Sequence, residues 1–277
     1  MNSEGLVAQE KQREWLDQWR TFQDDELFLF QDWIHPNGLD TFQGKTVLEA
    51  GCGGGQHSSF VAKYCEKLVA VDLNSVEVAK SRNREYTNIT FLEEDIATMD
   101  LEIRFDLVFS VGVVHHTDNP DRTVRNLIRH LKPGGRLILW VYSKEGNWIS
   151  EHVVERFRKR FLQSRSTLGL VRISRAITGL MYIPIYTLYY LPMRFLPYYE
   201  YFQNFRKLSY ERNVLNVFDK LNAPQVQFIE ERRVRDWLSS HTFSDVSITR
   251  YRGVSWRISA TLLGPESDGN GNSYTKE

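Results

Sequence analysis

Three glycines fall within one short segment that also contains a carboxylate. Gly51, Gly53 and Gly55 lie in VLEAGCGGGQHS, directly after the apolar run KTVLEA. The run predicts a buried strand, and glycines at its end indicate a turn into a helix. Because glycines carry no β-carbons, the backbone amides of such a turn can approach a ligand closely, and the helix N-terminus favours negative charge. The segment therefore predicts a ligand-binding loop, although glycines here also suit tight packing of strand against helix.

The charged residues near this loop restrict the chemical class of ligand that it can bind. A dinucleotide-binding G-x-G-x-x-G fingerprint would need a glycine where this chain has Gln56, and a pyrophosphate would meet the carboxylate of Glu49. An acid at that position suits a ligand with a cationic amine, such as the methionine part of S-adenosylmethionine (SAM). Asp72 closes the next predicted strand, 21 positions after Gly51, where a carboxylate can accept both ribose hydroxyls.

Two histidines and a tyrosine are the candidates for acting on an acceptor. His115 and His116 follow one predicted strand and Tyr142 ends the next, so all three are expected in the crevice beyond the carboxyl ends of the strands. A histidine there can deprotonate a hydroxyl because its pKa is near neutrality. The alternatives are that the histidines cap the loop or pack on the cofactor, and that Tyr142 is an apolar wall. A group transfer to an aligned acceptor can also proceed without a general base.

The elements around these residues alternate regularly. The composition pattern predicts strands and helices at 45–50, 56–65, 68–72, 75–86, 89–92, 107–111, 120–131 and 136–142. Such alternation predicts an α/β fold with a parallel sheet and helices on both faces. Two β-rich runs near 246–251 and 254–263 are close enough to form an antiparallel hairpin around Arg252 and Gly253.

The ends of the chain and one central segment do not follow this alternation. A helix is expected from about 8 to 34, a further helix near 231–240, and a disordered tail at 265–277. Between about 143 and 229 strands give way to a segment rich in aromatic and arginine residues, which we interpret as a helical insertion after the fifth strand. The domain is therefore expected to span residues 1–264.

Within the insertion, basic residues precede a long uncharged stretch. Seven basic residues lie between Arg156 and Arg175 with no acid among them, and AITGLMYIPIYTLYYLPM follows at 176–193. Pro184 and Pro192 within that stretch favour broken helices over a membrane span. A lid over the acceptor pocket and a surface contact with anionic membranes through about 156–193 both remain open.

Several motifs together resemble one family. From Val47 to Tyr142 the chain resembles class I SAM-dependent methyltransferases, which are Rossmann-like, and in particular the large bacterial group acting on small molecules. The motifs that carry the resemblance are EAGCGGG at 49–55, VDLN at 71–74, EEDI at 93–96, FDLVFSVGVVHHTDNP at 105–120 and LKPGG at 131–135. The resemblance implies a seven-stranded, mostly parallel sheet that ends in an antiparallel hairpin.

The resemblance also implies a role for each matching residue. Glu49 and Gly51 would line the methionine end of SAM, and Gly53 would lie beneath the ribose. Asp72 would hold the ribose hydroxyls, and Leu73 would pack on the adenine.

Three further positions complete the implied cofactor site. Asp95 would meet the adenine amino group, Ile96 the edge of its ring, and the backbone carbonyl of Ser110 the SAM amine. The segment 218–238 also resembles, more loosely, the end of the insertion in methyltransferases associated with bacterial surface glycans and other secondary metabolites. A saccharide, a lipid-linked molecule or another secondary metabolite is therefore an expected acceptor.

Composition restricts the remaining classes of function. Lys plus Arg and Asp plus Glu both number 35, which gives no net charge, so no nucleic-acid partner is expected. Cys52 and Cys65 lack metal-like spacing, which predicts no metal site and a reducing compartment. The N-terminal residues have no apolar core like that of a signal peptide, so a cytoplasmic location is expected, peripheral to the membrane if the insertion binds lipid.

The leading hypothesis is a SAM-dependent methyltransferase that acts on a small-molecule acceptor. Two other classes remain: a noncatalytic scaffold that binds SAM or lipid, because a glycine loop specifies a ligand and not turnover, and an NAD(P)-dependent dehydrogenase. Gln56 and Glu49 oppose the dehydrogenase.

Overall fold

A seven-stranded mixed sheet forms the centre of the molecule. The structure is a computed structural model that describes residues 13–23, 26–162, 165–239 and 241–264. The sheet order is β3-β2-β1-β4-β5-β7-β6, with β7 antiparallel to both β5 and β6. The strands are β1 (Thr46–Ala50), β2 (Lys67–Asp72), β3 (Ile89–Glu93), β4 (Phe105–Val111), β5 (Leu131–Tyr142), β6 (Phe243–Tyr251) and β7 (Ser255–Leu262). The fold class expected from the sequence is confirmed.

Helices cover the sheet and form the insertion. They are α1 (Arg13–Thr21), α2 (Leu27–Ile34), α3 (Gln56–Val61), α4 (Val76–Arg82), α5 (Pro120–Arg129), α6 (Glu155–Phe161), α7 (Thr167–Tyr186), α8 (Tyr199–Phe205), α9 (Tyr210–Asn222) and α10 (Glu231–Ser239). The single helix expected from about 8 to 34 is wrong, because α1 ends at Thr21 and a separate helix begins at Leu27. Residues 8–12 of that expectation, and the expected tail at 265–277, lie outside the described residues.

The central strands are apolar because both of their faces are covered. In β1, Leu48 packs into one buried cluster and Val47 into another, as alternation along a strand requires. A strand covered on both faces reads as a continuous apolar run. This constraint places the polar ends of the strands, rather than their middles, where a ligand can reach them.

The C-terminal hairpin turns at the residues that the sequence indicated. Arg252 and Gly253 have φ values of 48° and 73°, and the Val254 amide donates to the Tyr251 carbonyl at 3.1 Å. Two successive positive φ angles match the right-handed twist of the paired strands.

The described part of the insertion is mainly helical, and α7 and α9 meet in an apolar cluster at residues such as Leu170, Val214 and Phe218. The expectation of helices broken at Pro184 is wrong, because α7 runs unbroken from Thr167 to Tyr186. Pro184 lies in its last turn, and the helix ends only two residues later, so the proline costs few backbone hydrogen bonds there.

One member of the expected basic surface is buried. Arg158 is only 2% exposed. Its Nε and Nη2 donate to the Glu155 carboxylate at 3.0 and 2.7 Å, and its Nη1 donates to the Ala223 carbonyl. Arg175 forms a more exposed ion pair with Glu211 at 3.2 Å. The seven basic residues therefore do not form one solvated patch, because Arg158 joins α6 to the end of α9.

Candidate active site

A cavity of about 540 Å³ opens at the carboxyl ends of β1, β2, β4 and β5. Open α/β sheets bind ligands at this edge. Its wall contains the predicted residues Gly51, Gly53, Asp72, Leu73, Asp95, Ile96, His116 and Tyr142. The other predicted residues, Glu49, Gly55, Ser110 and His115, are not part of the wall.

The glycine loop is held to the end of β2 by a carboxylate. Asp72 Oδ2 accepts the Gly53 amide at 2.9 Å, and Oδ1 accepts the amides of Asn74 and Ser75 at 3.1 and 3.0 Å. These three bonds fix the carboxylate at the cavity wall. A carboxylate oxygen has further lone-pair sites, so Asp72 can still accept hydroxyl groups of a ligand.

Gly53 lies under the indole ring of Trp19, a contact that the sequence analysis did not predict. Its φ is 53°, and a β-carbon there would lie 2.7 Å from ring atoms of Trp19 in α1. Arg82 positions Trp19 by donating to the backbone carbonyls of Trp19 and Phe22. The glycine therefore admits α1 against the loop.

Gly55, which we expected in the cofactor site, lies outside the cavity wall and is close to α4. It precedes α3 with φ 79°, and a β-carbon would lie 2.4 Å from Asn83 Nδ2 and 2.9 Å from the Cα of Ala79. The packing explanation weighed in the sequence analysis therefore applies at this position, where α3 meets α4.

Glu49 is a buried acid immediately behind the loop. Its side chain is almost inaccessible, and Oε2 accepts the Ser58 hydroxyl at 2.5 Å, whereas Oε1 has no hydrogen-bond partner among the described residues. Burial raises the pKa of Glu49 to about 8 against the effect of the Ser58 bond, and Asp72 adds to the increase. His57, which lines the cavity, has its Nδ1 3.9 Å from Oε1. The orphaned oxygen can stabilise a cation at this end of the cavity.

The opposite end of the cavity is an apolar slot with an acidic edge. Leu73, Ile96 and Ala97 line it together with Glu94 and Asp95. The Asp95 carboxylate accepts the Ala97 amide at 2.8 Å. This composition suits a planar, apolar ring that carries a polar amino group.

A side chain that the sequence analysis missed supports this slot. Asn126 of α5 donates to the carbonyls of Ile96 and Met99 at 3.1 and 2.9 Å, which fixes the loop that carries Ile96.

Ser110 is set back from the cavity. Its hydroxyl donates to the Ala50 carbonyl at 2.7 Å, across neighbouring strands. Val111, Gly112 and Val113 line the cavity instead. The residues near the end of β4 that line the site are therefore one to three positions after the Ser110 that the sequence implied.

The two adjacent histidines have different environments. His116 lines the cavity, and its Nδ1 lies 2.7 Å from the Gln225 carbonyl oxygen. Because a carbonyl only accepts, Nδ1 carries the hydrogen and Nε2 is the basic nitrogen of the neutral ring. Burial lowers the pKa of His116, although Asp219 and the Gln225 bond oppose that shift. The ring is therefore neutral, with a free lone pair, at pH 7.

His115 lies behind the wall. It is completely inaccessible, and its Nδ1 accepts the Tyr142 amide at 3.4 Å. Burial lowers the pKa of His115 well below its ordinary value. Its ring packs 4.2 Å from the rings of both His116 and Tyr142. This placement corrects the expectation that both histidines lie in the crevice, because His116 lines the cavity and His115 does not.

A carboxylate from the insertion connects three parts of the site. Asp219 of α9 accepts the Tyr142 hydroxyl at 3.1 Å through Oδ2 and the Gln18 amide at 3.1 Å through Oδ1. Burial raises the pKa of Tyr142 above its ordinary value, so the phenol keeps its proton and serves as a donor. Tyr142 therefore presents a protonated phenol whose hydroxyl donates to Asp219.

Helices α1 and α9 supply the remaining wall of the cavity. These residues, which the sequence analysis missed, are Trp15, Gln18, Trp19, Arg212, Leu215, Asn216 and Asp219. The only sequence signal was the helical spacing of Trp15 and Trp19, which we had interpreted simply as helix. The α9 residues were covered only in part, by the loose resemblance of the segment 218–238, which assigned no role to Asp219. Among the described residues, no group of three or more His, Cys, Asp or Glu side chains is arranged to hold a metal ion.

Comparison with known sequences agrees with this geometry. Residues 48–139 match the family model described as a methyltransferase domain. The ubiquinone biosynthesis O-methyltransferase of Coxiella burnetii (strain Dugway 5J108-111) is 34% identical over 131 residues, which cover 39% of this chain and 56% of that protein. The mitochondrial enzyme of the same name from Schizosaccharomyces pombe is 30% identical over 109 residues, covering 37% and 40% respectively. The chain thus spans about half the length of these relatives.

A solved structure shows the same fold over nearly the whole chain. Magnesium protoporphyrin IX methyltransferase from Synechocystis PCC 6803, with bound SAH, superposes with a TM-score of 0.50 at 17% identity. The superposition covers 94% of this chain and 100% of that one. Residues 48–139 therefore match a methyltransferase-domain model, and the chain has the Rossmann-like fold of that methyltransferase structure.

Proposed function

We propose that this protein binds SAM and transfers its methyl group to a hydroxyl of a small-molecule acceptor. The observation that carries the proposal is the continuous cavity in which Asp72 and the glycine loop form one wall and His116 and Tyr142 another. The relatives named as O-methyltransferases support a hydroxyl acceptor. A lipid-linked molecule, a saccharide or another secondary metabolite fits the expectation from the sequence.

The residues present fit SAM. The Asp72 carboxylate suits ribose hydroxyls, and the slot of Leu73 and Ile96 suits adenine. The buried carboxyl of Glu49 lies directly behind the glycine loop, where its charge suits the cationic amine. When bound, SAM supplies a methyl group on a positively charged sulfur, which an aligned nucleophile can accept. The chain itself contributes alignment, exclusion of water and proton removal.

His116 is the residue that we assign to proton removal. Its Nε2 is unprotonated at neutral pH, and the Gln225 carbonyl holds the ring in that tautomer. Tyr142 and Asp219 complete the acceptor wall. Their hydrogen bond keeps the carboxylate beside the imidazole, where it stabilises the imidazolium that forms after proton transfer.

We also propose that the insertion contacts anionic membranes. Of the described helices, α7 alone is long and apolar enough to cross a membrane by length and composition. Its exposed face and the segment after it carry Leu180 (67% exposed), Ile183 (65%) and Phe195 (79%). Basic side chains at Lys159, Arg160 and elsewhere at the start of the insertion are exposed. Exposed apolar groups beside cations favour the surface of an anionic bilayer.

The first prediction uses the acid behind the loop. In the free protein Glu49 is mostly protonated at pH 7, because its pKa is about 8. A cationic ligand lowers that pKa, so binding of SAM should release up to about one proton and tighten as pH rises from 6 to 8. Calorimetry at pH 7 in phosphate and in Tris buffer measures the release. Glu49→Gln, which preserves an acceptor for Ser58, should abolish it; equal proton release by both proteins would contradict the assignment.

The second prediction separates the base from its neighbours. His116→Asn keeps a donor for the Gln225 carbonyl but removes the basic nitrogen, and should lower kcat about 10²- to 10⁴-fold. SAM affinity should change less than about threefold, since the imidazole is assigned to the acceptor wall. The matched control is His152→Asn, outside the cavity wall, which should keep wild-type kcat. Unchanged turnover by His116→Asn at every pH would remove His116 as the base.

The third prediction concerns the membrane surface. Protein should co-sediment with vesicles that contain anionic lipid, and less so as salt increases, because each basic residue near the surface contributes about 1 kcal/mol. Lys159→Gln with Arg160→Gln should reduce binding, as should Leu180→Ser with Ile183→Ser. The matched pair Lys63→Gln with Lys67→Gln, exposed near the N-terminal end of β2, should not. If the protein stays in the supernatant with anionic vesicles at low salt, the membrane proposal is wrong. The insertion is then interpreted only as a lid over the acceptor pocket.

A further inference from the structure

A second, smaller cavity of about 100 Å³ adjoins the first. The two cavities share His116, Trp140 and Tyr142 in their walls. A molecule that reaches from one cavity into the other therefore passes the imidazole assigned to proton removal. We call the second cavity the side chamber.

The side chamber contains an ammonium group. Lys220 of α9, which is partly buried, lines it, and one of its three N–H groups donates to the Tyr201 hydroxyl at 3.0 Å. The ammonium also lies 5.4 Å from the centre of the Tyr142 ring and 5.0 Å from that of Tyr201. Aromatic rings attract a cation but do not provide an anion for its remaining hydrogens.

The nearby acids are committed to other partners. The Asp219 carboxylate accepts from Tyr142 and Gln18, and the Glu155 carboxylate accepts from Arg158. Among the described residues no carboxylate forms an ion pair with Lys220 within 4.0 Å. A partly buried cation without an ion-pair partner attracts an anion, so the chamber offers a position where an anion is favoured.

The ammonium keeps its proton in this setting. Burial lowers the pKa of Lys220, but the hydrogen bond to Tyr201 and the charge of the Asp219 carboxylate favour the protonated form, and the pKa lies above its ordinary value. Trp140 lines the same chamber, and its buried Nε1–H has no hydrogen-bond partner among the described residues. Lys220 and Trp140 therefore both have N–H groups left to donate, beside one unused acceptor, Asn204 Oδ1, in the same wall.

We propose that the side chamber binds an oxyanion of the acceptor, a carboxylate or a phosphate, on Lys220. The inference rests on the proposed function, because it takes the large cavity as the place of methyl transfer. The acceptor is then an acidic molecule, whose anionic end is held by Lys220 while its hydroxyl lies beside His116. Lys220 is a specificity-determining residue and takes no part in proton transfer.

The test compares probes of one shape and different charge. Benzoate, its neutral amide benzamide, and phenyl phosphate are titrated by calorimetry into protein saturated with S-adenosylhomocysteine. Benzoate or phenyl phosphate should bind at least about tenfold more tightly than benzamide, as expected for a charge-assisted hydrogen bond in a dry site. The stronger of the two acids identifies a carboxylate or a phosphate as the preferred group.

Variants assign the preference to one side chain. Lys220→Met keeps the length of the side chain without its charge and should reduce the preference for acid over amide to below about twofold. Lys207→Met, at an exposed lysine just before α9, should retain the wild-type preference. If Lys220→Met does not fold, the comparison of acid and amide binding to the wild-type protein still tests the inference.

Three results would overturn the inference: equal binding of acid and amide, no binding of either acid at millimolar concentration, or a preference that survives in Lys220→Met. Absence of S-adenosylhomocysteine binding by the wild type would instead contradict the proposed function, so the two failures are distinguishable.

Discussion

The Asp219 carboxylate joins three separate parts of the chain around the candidate active site. It accepts the hydroxyl of Tyr142 at the end of β5 and the amide of Gln18 in α1, and it is itself carried by α9 of the insertion. Together with the Asn222 side chain, which donates to the Glu14 carbonyl at 2.7 Å, this junction holds α1 and α9 side by side as one wall of the cavity. The insertion therefore completes the site, because the glycine loop and Asp72 form only the part nearest to β1 and β2.

Local features of the fold could be predicted from the sequence, and contacts distant in sequence could not. The glycine loop and Asp72 follow from residues within a short stretch, and strand alternation determines their shared edge of the sheet. The Gln18–Asp219 bond joins positions 201 residues apart. Neither residue type signals such a contact, because glutamine and aspartate usually lie on solvated helix faces. Spacing within α1 likewise indicates a helix but not that Trp19 lies over Gly53.

The predictions that His115 lies in the crevice and that Arg158 is part of an exposed basic surface were wrong for the same physical reason. His115 and His116 are identical side chains in adjacent positions, and only the short turn at Val114–His116 decides that one faces the cavity while the other packs behind Tyr142. Arg158 belongs by sequence to a run of basic residues, yet a nearby glutamate and the free carbonyl of Ala223 at the end of α9 make a buried position tolerable. In both cases the residue type indicated what the side chain can do chemically. Whether the side chain is exposed to the cavity or solvent depends on contacts with other parts of the chain.

Binding of S-adenosylhomocysteine tests the central claim, that the cavity is a SAM site, most directly. Calorimetric titration should show micromolar affinity for the wild type and no binding of NAD. Asp72→Ala should weaken S-adenosylhomocysteine binding by about 1–3 kcal/mol, because a buried ribose loses its hydroxyl acceptor. NAD binding in preference to S-adenosylhomocysteine, or an affinity for S-adenosylhomocysteine that Asp72→Ala leaves unchanged, would contradict the account.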